Sequence, residues 1–146
     1  MGLPHSSDSP DFKKRSRFCM DEHIELSASA IRYLLALKAL GHDGGGIRSV
    51  DIAAALGLSK PSVHNMMKTF DEMGLVSKDA YGAAYITRLG KEIADRYGRY
   101  YDSVSELLQK SFPDAGNVDA AVYMLLSELP EESLDGLGRE KESGIA

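Results

Sequence analysis

Apolar residues recur at spacings of three and four along this chain, which is the pattern of helices that bury one face. The first such stretch covers residues 27–40, with Ile31, Leu34 and Leu35 on one side. Gly41 and the glycine run at 44–46 end it, and the missing Lys-Ser/Thr pair argues against a phosphate-binding loop. We therefore expect a helix, a flexible connection, and then Ile47 as a single short strand.

Two further helices are predicted close together in sequence. The first begins near Ser49, a good N-cap residue, and ends at Gly57. Ser59 can cap the second, and Pro61 loses no hydrogen bond there because first-turn amides have no partner within a helix. The second helix has core-facing residues at the same spacing, namely Val63, Met66, Met67, Phe70 and Met73. The short link between the two predicts a helix-turn-helix.

The opposite face of the second helix carries small, amide and basic side chains. These are Ser59, Lys60, Pro61, Ser62, His64, Asn65 and Lys68. Asn65 can pair bidentately with an adenine, and Lys60 or Lys68 can pair with phosphate. This composition favours contact with DNA, and an ordinary solvated face is the alternative explanation.

A hairpin and a long helix are predicted next. We expect Gly74 to follow the last helical residue, residues 75–78 and 83–87 to form strands, and residues 79–82 to form the turn. Thr87 can cap an exit helix that runs from 88 to about 111. This order of elements defines a winged helix-turn-helix, a fold that places one helix in the major groove.

Residues 26–137 resemble the metal-dependent repressors of the diphtheria-toxin-repressor and manganese-transport-regulator family. The resemblance is carried by LSAS before the first helix, VDIAAALGLSKPSV, DEMGLV and YGAAYITRLGKEIA. It implies a DNA-binding repressor whose wing, around Tyr81 and Gly82, lies along the DNA backbone. The base and phosphate contacts implied by position are Ser59, Pro61, Ser62 and Asn65. Multiple-antibiotic-resistance-type regulators share the winged core but not the C-terminal layout.

The resemblance also implies Mn(II) or Fe(II) as co-repressor, but the ligand positions hold other residue types. They are occupied by Arg32, Leu35, Tyr101, Asp102, Ala120, Tyr123 and Met124. Because hard divalent cations prefer carboxylates and imidazoles, we expect no metal cofactor. One alternative for control is that Arg32 replaces the metal charge by pairing with a carboxylate such as Asp102. The other is an unknown effector in a pocket lined by Tyr33, Tyr97, Tyr101 and Tyr123.

The helices after the hairpin carry apolar stripes that are broad for a small chain. The exit helix has Ile93, Tyr97, Tyr100 or Tyr101, Val104, Leu107 and Leu108, and the helix capped by Asn117 adds Val118, Ala121, Val122, Leu125, Leu126 and Leu129. We expect a homodimer on palindromic DNA, with two reading helices about one DNA turn apart. The predicted dimerisation residues are Val118, Val122, Leu125, Leu126 and Leu129. A self-contained monomer core is the alternative.

Composition limits the possible classes of protein. The net charge is −5, yet residues 48–91 hold six cations against four anions, whereas residues 92–146 hold five against twelve. The predicted reading head is therefore mildly basic. One cysteine, Cys19, and no signal-peptide or membrane-spanning run point to the cytoplasm. No nucleophile with a base and no cofactor loop is evident, so we do not expect an enzyme.

The predicted organisation is mostly α. Residues 1–24 form a disordered basic tail, 25–94 a winged helix-turn-helix DNA-binding domain, 95–138 a helical dimerisation domain, and 139–146 a frayed tail. The tail cations Lys13, Lys14, Arg15 and Arg17 are a candidate DNA-contacting arm or a solubilising segment. The leading hypothesis is a homodimeric transcriptional repressor. Alternatives are a winged-helix regulator that responds to a small-molecule effector, or a protein-binding dimer with a vestigial DNA face.

Overall fold

The structure is a computed structural model that describes residues 25–41 and 44–142, with side chains up to residue 137. The basic tail, Cys19 and residues 143–146 lie outside the described residues. The described residues form six helices and one two-stranded sheet. The helices are α1 (Ala28–Leu40), α2 (Ser49–Leu56), α3 (Lys60–Glu72), α4 (Arg88–Ser111), α5 (Asp119–Glu128) and α6 (Glu131–Glu142), and the strands are β1 (Val76–Lys78) and β2 (Ala84–Ile86).

Local capping determines where most of these helices begin and end. The hydroxyl oxygens of Ser27, Ser59 and Thr87 accept hydrogen bonds from Ala30, Ser62 and Gly90 at the starts of α1, α3 and α4. Such caps satisfy N–H groups that have no partner within the helix. The prediction of Ser49 as the N-cap of α2 is wrong, because Arg48 takes that position and Ser49 is the first helical residue.

The C-terminus of α3 turns the chain into the wing. Gly74 has a φ of 80°, its N–H donates to Asp71, and the N–H of Leu75 donates to Phe70 at 2.8 Å. This pair of bonds is the Schellman arrangement that caps a helix and reverses the chain. Gly74 therefore lies at the predicted C′ position.

The wing is an antiparallel hairpin with a third short contact. Val76 pairs with Ile86, Ser77 with Tyr85, and Lys78 with Ala84. Ile47 forms an isolated antiparallel bridge with Ala84, as the sequence predicted. The connection after α1 is thereby fastened to the hairpin at Ala84, the strand residue next to the turn.

The core is continuous across the domain boundary predicted at residue 94. The 24-residue helix α4 spans that boundary and contacts α1, α5 and α6, while α1 also contacts both α2 and α5. The buried residues form one cluster that extends from Leu26 to Leu134. The winged part and the helical part therefore share their hydrophobic interior.

Two predictions about the C-terminal part are wrong. Val118, Val122 and Leu126 are buried in the core of the chain itself, so they are not available as a dimer surface, whereas Leu125 is half-buried and Leu129 exposed. The last helix continues to Glu142, past the predicted start of the frayed tail at 139, and Leu134 on it is buried. No helix among the described residues has the length and apolarity required to span a membrane.

Candidate nucleic-acid interface

Helix α3 has one buried face and one fully solvent-facing face. Val63, Met67 and Phe70 are essentially inaccessible, and Met66 and Met73 are half-buried. The ring of Phe70 packs edge-on against Tyr33 of α1 at 5.4 Å, and the Tyr33 hydroxyl donates to the Val63 carbonyl at 3.1 Å. These contacts fix both the position of α3 and its rotation about its own axis.

The solvent-facing side of α3 contains all seven predicted helix residues. Ser59, Lys60, Pro61, Ser62, His64, Asn65 and Lys68 are all exposed. They come from the cap and the first half of the helix, so they form one surface. Ser59 and Ser62 also serve the fold, because the Ser59 hydroxyl accepts from the Ser62 N–H and donates to the Ser62 hydroxyl at 3.0 Å. Within the described chain, no other group is hydrogen-bonded to the side-chain amide of Asn65.

A tight turn holds α2 against α3. Gly57 takes the left-handed conformation with φ 65°, and the N–H of Leu58 donates to the Ala53 carbonyl at 3.1 Å. Ile52 on α2 is fully buried beneath the turn. The two helices therefore have the helix-turn-helix arrangement that the sequence predicted.

The turn of the wing is organised by Asp79. One carboxylate oxygen accepts from the N–H groups of Tyr81 at 2.9 Å and Ala83 at 3.0 Å, and the other accepts from the Tyr85 hydroxyl at 3.3 Å. Desolvation is the largest single effect and opposes ionisation, but these donors together outweigh it and hold the pKa of Asp79 below its ordinary value. Gly82 has a φ of 86°, and Tyr81 is 94% exposed. The predicted wing residues thus stand in solvent on a pre-formed turn.

The organising role of Asp79 was not part of the sequence prediction. An Asp at the first position of a turn, with Gly three residues later, is the available signal, because Asp side chains accept from backbone N–H groups two residues on. The Tyr85 contact has no such local signal. It depends on the hairpin register.

Thr87 joins the wing to α3 and α4. Its hydroxyl donates to the Gly74 carbonyl at 2.6 Å and accepts from the Gly90 N–H at 3.0 Å. Gly90 lies so close to β1 that a Cβ atom there would be 2.1 Å from the Leu75 carbonyl oxygen. The wing is therefore held at a fixed position beside the C-terminus of α3.

The positions that the family would use for a metal do not form a suitable donor set. The Tyr101 hydroxyl is hydrogen-bonded to the Asp119 carboxylate, and the Tyr101 and Tyr123 rings lie 5.3 Å apart. The bond to Asp119, with burial, raises the pKa of Tyr101, so its phenol stays protonated. Ala120 and Met124 are exposed and supply no hard donor. No cluster of three His, Cys, Asp or Glu side chains occurs in the described chain. A guanidinium, protonated phenols and one engaged carboxylate do not fit Mn(II) or Fe(II).

Both predicted control devices need correction. The Arg32 guanidinium donates to the Leu56 carbonyl at 3.4 Å, and in the described part of the chain it forms no ion pair with Asp102. The four tyrosines do not line one pocket. Tyr33 packs on Phe70, Tyr97 packs edge-on against Tyr100 at 5.3 Å, and Tyr101 packs on Tyr123.

The geometry defines a winged helix-turn-helix protein, and comparisons with known proteins agree. The model of the IclR helix-turn-helix domain matches residues 23–80. The chain is 29% identical over 92 residues to the transcriptional regulator MntR of Escherichia coli O6:H1, and an MntR of Escherichia coli O157:H7 matches equally well. Each match covers 63% of this chain and 53% of the relative, so the chain spans about half the length of the curated relatives it matches.

Solved structures share the fold at lower sequence identity. The manganese regulator SloR has a TM-score of 0.65 at 19% identity, over 80% of this chain and 54% of the other. The regulator IdeR of T. acidophilum has a TM-score of 0.59 at 20% identity, over 79% and 54%. A hypothetical protein from Sulfolobus solfataricus has a TM-score of 0.58 at 24% identity, over 83% and 92%. The resemblance to the manganese- and iron-dependent regulators, stated from the sequence motifs, is confirmed.

Proposed function

We propose that this protein is a homodimeric, sequence-specific DNA-binding transcriptional regulator, in which α3 enters the major groove. The observation that carries the proposal is the surface of α3. Its polar side is uncovered by the rest of the described chain, whereas the apolar side is locked into the core by Val63, Met67 and Phe70. A helix fixed in this way presents the same side chains to every base sequence, as discrimination between sequences requires.

The individual roles follow from side-chain chemistry. Asn65 offers an acceptor and a donor suited to the N6 and N7 edge of adenine. Lys60 and Lys68 place ammonium groups beside it for phosphates, and Ser62 and His64 add shorter polar contacts. Tyr81 and Gly82, at the exposed turn of the wing, lie along the adjacent backbone.

The relatives support the regulatory part of the proposal. The curated matches are named transcriptional regulators, and the IclR helix-turn-helix model matches residues 23–80. The proposal that this chain regulates transcription, and does not only bind DNA, is based on those relatives. A repressor acts by occupying its operator, which needs only the DNA-binding surface.

Dimerisation needs a surface other than the one expected from the sequence. With Val118, Val122 and Leu126 buried internally, the apolar side chains left in solvent on and after α4 and α5 are the candidates. They are Leu107, Phe112, Met124 and Leu129, which are 47%, 59%, 62% and 38% exposed. A dimer formed through these residues would double the number of phosphate contacts that the mildly basic DNA-binding part can make.

We also propose that DNA binding by this protein does not require a divalent metal. The contact between Tyr101 and Asp119 joins α4 to α5 directly, and Arg32 joins α1 to the end of α2. The Tyr101–Asp119 bond thus links α4 and α5, two of the helices that carry the metal positions of the family. The arrangement of α2 and α3 would then be the same with or without Mn(II).

Selection of bound DNA from a random duplex pool, with either EDTA or Mn(II) present, tests both proposals. We expect the same two-fold symmetric sequence under both conditions, with half-sites centred about one helical turn apart. Recovery of no enriched sequence under either condition would contradict the DNA proposal. Enrichment only with Mn(II) would leave DNA binding intact and contradict metal independence.

A further inference from the structure

An open groove lies between α1 and α4, beside β2, away from the DNA-facing side of α3. Its volume is about 740 Å³. It is lined by Leu35, Lys38 and Ala39 of α1, by Ile86 of β2, and by residues of α4 between 91 and 102. None of the α3 or wing residues assigned to DNA lines it. The groove is thus a separate surface feature with an apolar floor.

The floor is open because α4 has a glycine at position 98. Glycine in a helix interior is destabilising relative to alanine, so it calls for a physical reason. Gly90 on the same helix has one, since a Cβ atom there would collide with the Leu75 carbonyl. A Cβ atom at Gly98 would meet only the Lys38 ammonium at 3.6 Å and a Leu35 methyl at 4.0 Å, which are ordinary contacts, and its φ is not positive. Neither packing nor backbone geometry requires glycine here, but a larger side chain would fill the groove.

The lining of the groove has an excess of positive charge, with Lys38, Lys91 and Arg99 against Asp95 and Asp102. The Lys38 ammonium forms an ion pair with Asp95 at 2.9 Å. This contact, together with the nearby charges of Arg99 and Lys91, lowers the pKa of Asp95 despite some desolvation. Three cations therefore surround one carboxylate. The other lining carboxylate, Asp102, lies near Tyr101.

We propose that this groove is a binding site for a small organic anion with an apolar body. The carboxylate of such a ligand pairs with Lys91 and Arg99, while its body lies over Leu35 and Gly98. A volume of this size suits a small molecule, and apolar side chains combined with a few polar groups that fix the orientation of the ligand are typical of such sites. Charge-assisted hydrogen bonds from Arg and Lys provide the orientation.

Occupancy would affect both halves of the molecule. The groove is formed by α1 and β2 of the winged part and by α4, so a ligand there contacts the winged part and the long helix together. A change in DNA affinity on binding rests on the proposed function. Binding of the anion itself does not.

Two-dimensional ¹⁵N NMR titration of the full chain with 2-naphthoate tests the site. The cation 2-naphthylmethylammonium serves as a probe of the same shape and opposite charge. We expect saturable shifts centred on the amides around Leu35 and Gly98, with 2-naphthoate bound about tenfold more tightly than the cation. Shifts scattered over the surface, equal affinity for the two probes, or no saturation at millimolar 2-naphthoate would overturn the proposal.

Substitutions locate the binding. Gly98→Leu should reduce the affinity for 2-naphthoate by about tenfold or more, whereas Gly136→Leu, in open space on α6, should leave it unchanged. If Gly98→Leu does not fold, the double variant Lys91→Gln/Arg99→Gln, at two exposed positions, gives the same answer by losing affinity. Wild-type affinity in either folded variant would contradict the site. In a separate measurement, 2-naphthoate should alter affinity for the selected DNA in the wild type but not in Gly98→Leu.

Discussion

Packing requires glycine at one position of α4 and does not require it at another. Gly90 lies against Leu75, the residue before β1, and the Leu75 backbone occupies the space that a side chain would need. Gly98 faces the groove and meets only the ends of flexible side chains. The physical reason for having glycine therefore differs between these two positions, which are eight residues apart on one helix.

The two glycines predict opposite effects of the same substitution. Gly90→Ala should destabilise the fold by about 2 kcal/mol or more, because the Leu75 backbone must move to admit the methyl group. Gly98→Ala should stabilise it by about 1 kcal/mol through helix propensity. Urea unfolding followed by circular dichroism measures both. Destabilisation by Gly98→Ala would show that the groove floor is closed.

Buried tyrosines give the stability a dependence on alkaline pH. Burial raises the pKa of Tyr97 from 10.0 to about 12. The charge of Glu131 adds to this shift, and the charge of Arg96 opposes it. The folded state therefore favours the neutral phenol. Its contribution is fully present below pH 10 and is lost as the pH rises from 10 through about 12.

Urea unfolding at a series of pH values tests this dependence. The wild type should lose stability over that range, and Tyr97→Phe should show a smaller loss because its ring cannot ionise. Identical pH profiles for the two proteins would contradict the assignment of the loss to Tyr97.

At the scale of the element, local signals in the sequence were sufficient for most boundaries. Ser59, Thr87 and Gly74 act through bonds to residues within a few positions, so the ends of α3 and the start of α4 could be predicted. The prediction of Ser49 as the N-cap of α2 was wrong because Arg48 already has the extended conformation of a cap residue, and the helix begins one residue earlier. The length of α6 also escaped prediction, since Leu134 is held by contacts with the distant helix α4.

Thr87 is expected to determine the stability of the wing. Thr87→Ala removes the cap of α4 and leaves the Gly74 carbonyl without its hydroxyl donor, and a cost of about 2 kcal/mol is expected. Thr87→Ser keeps the hydroxyl and should lose much less. Thermal unfolding of the three proteins measures the difference. Equal losses in both variants would mean that the methyl group, not the hydroxyl, matters.

At the scale of the whole molecule, sequence reasoning could not divide apolar residues between the core and an interface. The spacing of Val118, Val122 and Leu126 shows that one side of α5 is buried, but not against which partner. In the structure they are buried in the core of the same chain. Leu107, by contrast, was predicted to belong to the buried stripe of α4 and is exposed. The contact of Tyr101 with Asp119, 18 residues away, also has no sequence signal.

The proposed dimer surface can be tested by placing charge on it. Leu107→Glu/Phe112→Glu should shift the protein towards monomer in sedimentation velocity, because carboxylates resist burial in an interface. Gln109→Glu adds a charge to the same segment at an exposed position two residues from Leu107, so it should leave the association unchanged. An unaltered dimer in the double variant would place the interface elsewhere.

The central claim is that the polar side of α3 reads base sequence. The most direct measurement is the affinity for the selected DNA, by fluorescence anisotropy, of the wild type, Asn65→Ala and Gln109→Ala. The account predicts a loss of about tenfold or more for Asn65→Ala, which removes a bidentate base contact, and none for Gln109→Ala, which removes an exposed amide from α4. Wild-type affinity in Asn65→Ala, and likewise in Lys68→Ala, would contradict it.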